Sequence, residues 1–195
     1  MPALLPQPFP WLESISFTTI RLYYRCRTHV VLNGFCGHDI RGGIGNHLKS
    51  YMNCNLDRDA DCTECPPSLQ NDCLYNRLFE HGGNRLKPFV LRLDQAFNTL
   101  RTVRRKADVL WFDLTLIGNA VYLSDYIVDA MRQDPMRLGG AEQMFDLISE
   151  GYVNYDGSVT PFDFGQQAPL MGLCAEVYKS GGFNLYLFYI FLQVR

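Results

Sequence analysis

The sequence has 195 residues, of which 47% are hydrophobic, 13% aromatic and 19% charged. This composition excludes a wholly disordered chain and suits one globular domain, with or without an appendage. Eighteen Lys and Arg residues against 20 Asp and Glu residues give a net charge of -2. Any binding of nucleic acid must therefore depend on local clusters of positive charge. Such clusters are present, because an acidic segment (54–76) separates two segments rich in basic residues (1–53 and 77–106).

Neither end of the sequence predicts a membrane span or a secretion signal. The longest apolar run, 183–194, is shorter than the roughly 18 residues that are needed to cross a bilayer. Prolines interrupt the first ten residues, and no basic residue precedes them, which is unlike a signal peptide. We therefore expect a cytoplasmic protein with no membrane partner. In that compartment the seven cysteines would bind a metal or pack in the interior, since thiols stay reduced there.

The first part of the sequence predicts a strand followed by a helix. Residues 20–27 alternate hydrophobic side chains with basic and aromatic ones, as in a half-buried strand. Asp39 is then placed to cap a helix over 40–52, because hydrophobic residues recur there at helical spacing. These residues are Ile40, Ile44, Leu48 and Tyr51.

The stretch 53–80 is rich in cysteine and has no periodicity until a short helical turn near its end, so we interpret it as an insertion after the first helix. Two more strands and a second helix are predicted beyond it, and a fourth strand follows a pair of glycines. The predicted strands cover 89–93, 109–117 and 145–149, and Asn119 caps the second helix, which ends before Pro135.

The order strand, helix, strand, strand, helix, strand predicts an α+β fold of the ferredoxin-like class. This fold is a four-stranded antiparallel sheet with two helices on one face. We assign residues 1–155 to this domain. Residues 156–195 do not match the pattern and are expected to form a divergent or truncated C-terminal segment, whose aromatic run needs a partner surface.

Four cysteines of the insertion are spaced like zinc ligands. Cys54, Cys62, Cys65 and Cys73 place a Cys-x2-Cys pair between two single cysteines. Four thiolates are the ligand set of many structural zinc sites, which stabilise a loop and take no part in catalysis. Cysteines that are buried without a metal are the alternative.

Basic residues and histidines supply the candidates for RNA chemistry. Histidine titrates near neutral pH, but an isolated histidine is more often structural than catalytic. Clustered Lys and Arg residues contact phosphate backbones, although a solvated loop has the same composition. The connection before the strand at 109–117 is such a cluster, with Arg101, Arg104, Arg105 and Lys106.

Two further features fit RNA binding without being specific for it. Arg21, Tyr23, Arg25 and Arg27 share the outer face of the first strand, and guanidinium and aromatic groups together hold single-stranded RNA. Gly139 and Gly140 would allow a phosphate to approach the backbone closely, or would simply form a turn. Motifs of several enzyme classes are absent from the sequence: the phosphate-binding loop, the dinucleotide fingerprint, the nucleophile elbow and the zinc-protease helix.

Three segments follow one another as they do in one protein family. They are 39–48 (DIRGGIGNHL), 73–80 (CLYNRLFE) and 85–91 (RLKPFVL). Together with 114–120 and the glycine turn that precedes Phe145, they resemble the CRISPR-associated endoribonucleases of the RAMP superfamily, which process precursor crRNA. The resemblance extends over residues 15–155.

This resemblance implies a ferredoxin-like RAMP domain and metal-independent cleavage of CRISPR repeat RNA. In that reaction a 2′-hydroxyl attacks the adjacent phosphate and leaves a 2′,3′-cyclic phosphate. His47 is the leading candidate for proton transfer, with His38 as its rival, and Lys49 or Arg41 would stabilise the developing charge. No cofactor is needed for catalysis. The implied partners are CRISPR repeat RNA and subunits of a CRISPR effector complex.

Two departures from the family keep other functions open. The glycine turn continues with Ala141 and Glu142, where the family usually has more glycine and basic residues. In addition, no segment after about residue 156 matches the second RAMP-like half of the family. One alternative is a non-catalytic member that binds RNA or assembles into a complex. The other is a zinc-stabilised interaction protein with no role in RNA binding.

Overall fold

The computed structural model describes residues 16–33, 36–54, 62, 65–80, 87–94, 101–138, 144–165 and 171–172. Within them the strands are β1 (Ser16–Cys26), β2 (Val30–Asn33), β3 (Phe89–Leu93), β4 (Arg101–Arg104), β5 (Val109–Ile117), β6 (Met136–Arg137), β7 (Met144–Val153), β8 (Val159–Pro161) and β9 (Met171–Gly172). The α-helices are α1 (Gly37–Tyr51), α2 (Pro67–Asp72) and α3 (Ser124–Gln133). A π-helical turn covers Asn76–Glu80, and a 3-10 turn covers Gly118–Leu123. None of the helices described is long and apolar enough to cross a membrane.

The main sheet has the strand order β3-β5-β1-β7, and each neighbouring pair is antiparallel. Along the chain these four strands alternate with α1 and α3 as β1-α1-β3-β5-α3-β7. This connectivity, with the first and third of the four strands at the centre, is that of a ferredoxin-like fold. The predicted α+β ferredoxin-like class is therefore confirmed.

The hydrophobic core lies between one face of the sheet and the two longer helices. Every second residue of β1 from Ile20 onward points into it, so that Ile20 and Leu22 are completely buried. The helix α1 contributes Ile40, Ile44 and Leu48, which are at most 1% exposed. Because these three side chains recur at intervals of four residues, they fall on one face of the helix. Their burial fixes the rotation of α1 about its axis.

Most predicted helices and strands occur within a few residues of their predicted bounds. The bounds predicted for β3, 89–93, and for β5, 109–117, are the observed ones. The predicted cap of α1 is wrong, because the helix begins at Gly37 with Cys36 as its N-cap. Asp39 lies instead in the first turn, where its negative charge favours the helix dipole.

The basic connection 101–106 contains a strand that the sequence pattern did not reveal. Its first four residues form β4, which pairs with β2 in a two-stranded antiparallel sheet. Hydrogen bonds between Cys26 and residues 107–108 join this pair to the β1–β5 ladder. We call β2 and β4, with the turns 27–29 and 105–108, the β2–β4 ribbon.

The main sheet continues beyond the domain boundary predicted at residue 155. Asn154 and Ser158 close a turn by a main-chain hydrogen bond of 2.8 Å, with Gly157 at a φ of +82°, and β8 then returns along β7. Further on, β9 pairs with the first two residues of β1. The predicted boundary therefore falls inside the β7–β8 hairpin. Residues 173–195, including the aromatic run, lie outside the described residues.

The sheet face away from the core carries a buried ion pair between β1 and β5. Arg21 and Asp113 are directly opposite one another, and Arg21 donates to both carboxylate oxygens at 2.7 and 3.0 Å. Asp113 is completely buried, and the guanidinium of Arg21 lies 3.9 Å from the centroid of the Trp111 ring. The sequence pattern placed Arg21 among the residues suited to holding RNA. In the structure its guanidinium is instead paired with Asp113 within the sheet.

We expect Asp113→Asn to lower the free energy of unfolding by about 3 kcal/mol, because Arg21 would keep its charge in a largely buried place without a counterion. The matched control is Asp146→Asn, which breaks an ion pair with Arg27 that is 2.7 Å long and exposed on both sides. That change should leave stability almost unaltered. Urea unfolding at pH 7 measures both variants, and equal losses would contradict the assignment.

Candidate functional site

A cavity of about 430 Å³ opens along the outward face of α1. Six of its lining residues come from α1, namely His38, Arg41, Gly42, Gly45, Asn46 and Lys49. Their spacing of three and four residues places them on one face of the helix, opposite the face that packs in the core. Tyr75 and Phe79 form a second wall, which we call the aromatic wall. Lys87, just before β3, also lines the cavity. We call this the α1 cavity.

The α1 cavity is positively charged. Arg41, Lys49 and Lys87 line it together with His38, and the lining residues that the structure describes include no Asp or Glu. Several cations without a carboxylate among them create a positive potential inside a concave surface. Such a surface favours an anion with several acceptor oxygens, and phosphate is the commonest biological group of that kind.

Aromatic rings hold the cations in place. The rings of Tyr75 and Phe79 are parallel within 1° at a centroid distance of 5.0 Å. The ammonium of Lys49 lies 4.6 Å from the centroid of Tyr75, and the guanidinium of Arg41 lies 5.7 Å from that of Phe79. Cation–π attraction at these distances orients both basic side chains along the wall. Lys87 also donates a hydrogen bond to the main-chain oxygen of Phe79, which ties the start of β3 to the π-helical turn.

Gly45 allows the aromatic wall to approach α1. A Cβ atom at this position would lie 3.0 Å from the ring of Tyr75 and 3.6 Å from that of Phe79. The first distance is shorter than ordinary van der Waals contact, so a larger residue would move the ring. Gly42 lines the same cavity, but a Cβ atom there would have open space around it.

The two histidines proposed for proton transfer lie on opposite faces of α1. His47 is only 9% exposed and is not among the cavity residues. Burial lowers the pKa of His47, and this outweighs a hydrogen bond with the main chain of Ala130 and the charge of Asp134, which both raise it. His38 lines the cavity, its side chain is 81% exposed, and its Nε2 lies 3.1 Å from a carboxylate oxygen of Asp39.

The remaining RNA-binding candidates lie outside the α1 cavity. Arg104, Arg105 and Lys106 belong to the β2–β4 ribbon. The main chain of Arg101 is in β4, opposite Asn33, while its side chain is outside the described part of the structure. Gly139 and Gly140 also lie outside the described residues. The structure thus brings Arg41, Lys49 and His38 together and leaves the ribbon residues apart from them.

The predicted zinc ligands all fall among the described residues. Cys62 is buried, whereas Cys54, Cys65 and Cys73 are half-buried. The described residues contain no group of three or more His, Cys, Asp or Glu side chains arranged to hold a metal ion. Structural zinc bound by these four cysteines stays a prediction from their spacing.

Tyr75, Phe79 and Asn46 are cavity residues that our sequence reasoning did not single out. A signal for them was present, because seven of the nine lining residues that the structure describes lie inside the segments 39–48, 73–80 and 85–91. His38 and Lys49 directly adjoin the first of these segments. The three segments that carry the family resemblance therefore converge on one cavity.

The fold and this cavity define a ferredoxin-like α+β domain with a basic, aromatic-walled cavity on its first helix. The family AF_1859_N, described as an N-terminal domain, matches residues 13–163, and the chain belongs to this family. A solved structure titled CRISPR associated protein Cas6 is similar with a TM-score of 0.36 and 10% sequence identity. That similarity covers 89% of this chain and 72% of the other. No curated protein matches the sequence.

We expect the stability of the chain to fall as the pH is lowered from about 7 toward 5. The pKa of His47 is depressed in the folded state, so the unfolded chain binds a proton there first, below its ordinary value of about 6.5. The contribution of neutral His47 to the free energy of unfolding is complete above about pH 6.5, and it is lost as the pH falls toward the pKa of His47 in the folded state. The variant His47→Gln should show a smaller fall over this range in urea unfolding at several pH values. An unchanged pH dependence in this variant would contradict the role of His47 burial.

A pair of glycine substitutions tests the close contact at the aromatic wall. Gly42→Ala should raise the free energy of unfolding by up to about 1 kcal/mol, since alanine favours a helix. Gly45→Ala should lower it relative to Gly42→Ala by about 1 to 3 kcal/mol, because the added methyl group displaces Tyr75. Thermal unfolding of both variants gives the comparison. Equal stabilisation by the two changes would contradict the contact.

Proposed function

We propose that this chain binds CRISPR repeat RNA in the α1 cavity and cleaves it by attack of a 2′-hydroxyl on the adjacent phosphate. The convergence of the three resemblance segments on one cavity, which combines cations with aromatic rings, carries this proposal. Basic and aromatic groups together suit single-stranded RNA, because cations neutralise phosphates and rings contact bases.

The proposed reaction needs proton transfer and charge stabilisation. The 2′-oxygen forms a bond to phosphorus as its proton is removed, and the 5′-oxygen accepts a proton as its bond to phosphorus breaks. His38 is the better candidate for proton transfer, since it lines the cavity and is exposed, while His47 packs inside. Arg41 and Lys49 are placed to stabilise the negative charge that develops on the phosphate oxygens.

Binding without cleavage is the second candidate function. Of the histidines that the structure describes, one lines the cavity, and efficient cleavage uses both a base and an acid. The burial of His47 therefore favours a protein that holds the repeat RNA and leaves it intact.

Cleavage of end-labelled repeat RNA in EDTA distinguishes the two candidate functions. We expect wild-type protein to cut at one site, and His38→Ala to slow the single-turnover rate at saturating protein by about 100-fold or more. The dissociation constant should change little in this variant. His29→Ala is the matched control for this rate at saturating protein, because His29 is exposed and lies outside the cavity, away from the groups proposed to act on the reacting phosphate. His47→Ala is measured alongside.

Binding with no cutting by wild-type protein would support the second candidate. Cutting that survives in His38→Ala but is lost in a folded His47→Ala protein would assign the proton transfer to His47 instead. A failure of the wild-type protein to bind the RNA would overturn both candidate functions.

A further inference from the structure

A second basic surface lies on the β2–β4 ribbon, outside the α1 cavity. The side chains of Arg105 and Lys106 are exposed in the turn that leads from β4 to β5. Arg25 is exposed near the end of β1 and lies opposite Val109, the first residue of β5. Arg104, the last residue of β4, is half-buried beside them and lies opposite Val30.

The carboxylates of this surface already have partners. Asp146 accepts a hydrogen bond of 2.7 Å from the guanidinium of Arg27. Asp108 accepts one of 2.9 Å from the main-chain N–H of Arg105 and so closes the turn. The other basic side chains therefore give this part of the ribbon an excess of positive charge, which attracts phosphates and releases their counterions.

Arg104 supplies a separate indication of an anion site. Its Nε atom is buried and makes no hydrogen bond within the described part of the chain. A buried donor without an acceptor costs about 1 to 3 kcal/mol. Because this atom is covered, a phosphate oxygen would accept from it only after the Arg104 side chain turns toward the exposed Arg105 and Lys106, and the hydrogen bond gained would favour that movement.

The ribbon leads directly to the end of α1 at which the cavity begins. The strand β2 ends at Asn33, and Cys36 caps the helix that carries His38 in its first turn. From His38 to Lys49 the cavity follows about 16 Å of helix. An RNA strand that fills this length and continues past His38 would therefore meet the Asn33–Arg101 end of the ribbon first, and the basic turn at the other end of the ribbon lies about 10 Å further along β2.

We propose that the β2–β4 ribbon binds the phosphate backbone of the same RNA, beyond the part held in the α1 cavity. This proposal rests on the proposed function and adds a requirement on the substrate. Tight binding needs an RNA long enough to reach both surfaces. The ribbon contributes affinity, while the cavity contributes the groups that contact the reacting phosphate.

Binding of two RNAs tests this proposal. One is the full-length repeat, and the other is a short oligonucleotide that covers only the cleavage site. We expect Arg105→Glu to weaken binding of the full-length RNA by about tenfold and to lower the slope of log affinity against log salt by about 0.7. The short oligonucleotide should bind as tightly as it does to wild type. Lys106→Glu should behave in the same way.

Arg137→Glu is the matched control, since it makes the same charge change at an exposed arginine of β6. It should leave the affinity for both RNAs within about twofold of wild type, because Arg137 lies two strands, or about 10 Å, from Arg27 of the ribbon, which exceeds the screening length of about 8 Å at 0.15 M salt. Arg41→Glu, in the cavity, should weaken both RNAs. Circular dichroism checks that each variant is folded.

The outcomes separate the two proposals. If Arg41→Glu weakens both RNAs while Arg105→Glu and Lys106→Glu weaken neither, the role of the ribbon is overturned and the role of the cavity stands. If Arg105→Glu and Arg137→Glu weaken the full-length RNA equally, the effect is one of net charge, and the role of the ribbon is again overturned. If wild-type protein binds neither RNA, both proposals fail.

Discussion

The packing of the hydrophobic face of α1 against the sheet is the constraint on which the candidate site depends. Ile40, Ile44 and Leu48 are buried along one side of the helix, and this burial fixes its rotation. The residues three and four positions apart on the other side are thereby turned outward, and they line the cavity. The same constraint directs His47 into the interior, where burial lowers its pKa. Helix packing thus decides that His38 lines the cavity and that His47 is buried in the interior.

The Cys-rich insertion matters to the site because its last residues form the aromatic wall. The segment that ends in the π-helical turn presents Tyr75 and Phe79 to α1, and Gly45 leaves room for the contact. The rings then orient Arg41 and Lys49. Cations that are held before a ligand arrives lose less conformational entropy on binding, which favours affinity.

The net charge of -2 does not indicate how the fold distributes positive and negative side chains over the surface. The α1 cavity gathers three cations from segments that are up to 46 residues apart in the sequence, Arg41 to Lys87. Lys106 and its neighbours form a second basic surface on the ribbon, and the buried Asp113 neutralises Arg21 on the sheet between β1 and β5. Arg21 and Arg41 therefore have different roles, because Arg21 is paired with a buried carboxylate, whereas Arg41 lines a cavity whose described residues include no carboxylate.

Local patterns in the sequence determined the class of fold, the bounds of β3 and β5, and the segments from which the cavity is built. These features depend on periodicity and on short motifs, which are properties of neighbouring residues. The sequence did not reveal β4, because a four-residue strand with an arginine at each end lacks the usual pattern and forms only when β2 is available to pair with it. The sequence analysis also ranked His47 before His38 for proton transfer, because neighbouring residues do not indicate that His38 is the one of the two that lines the cavity. Only the tertiary structure decided which face of α1 is buried and which residues meet across the cavity, because those contacts join segments that are distant along the chain.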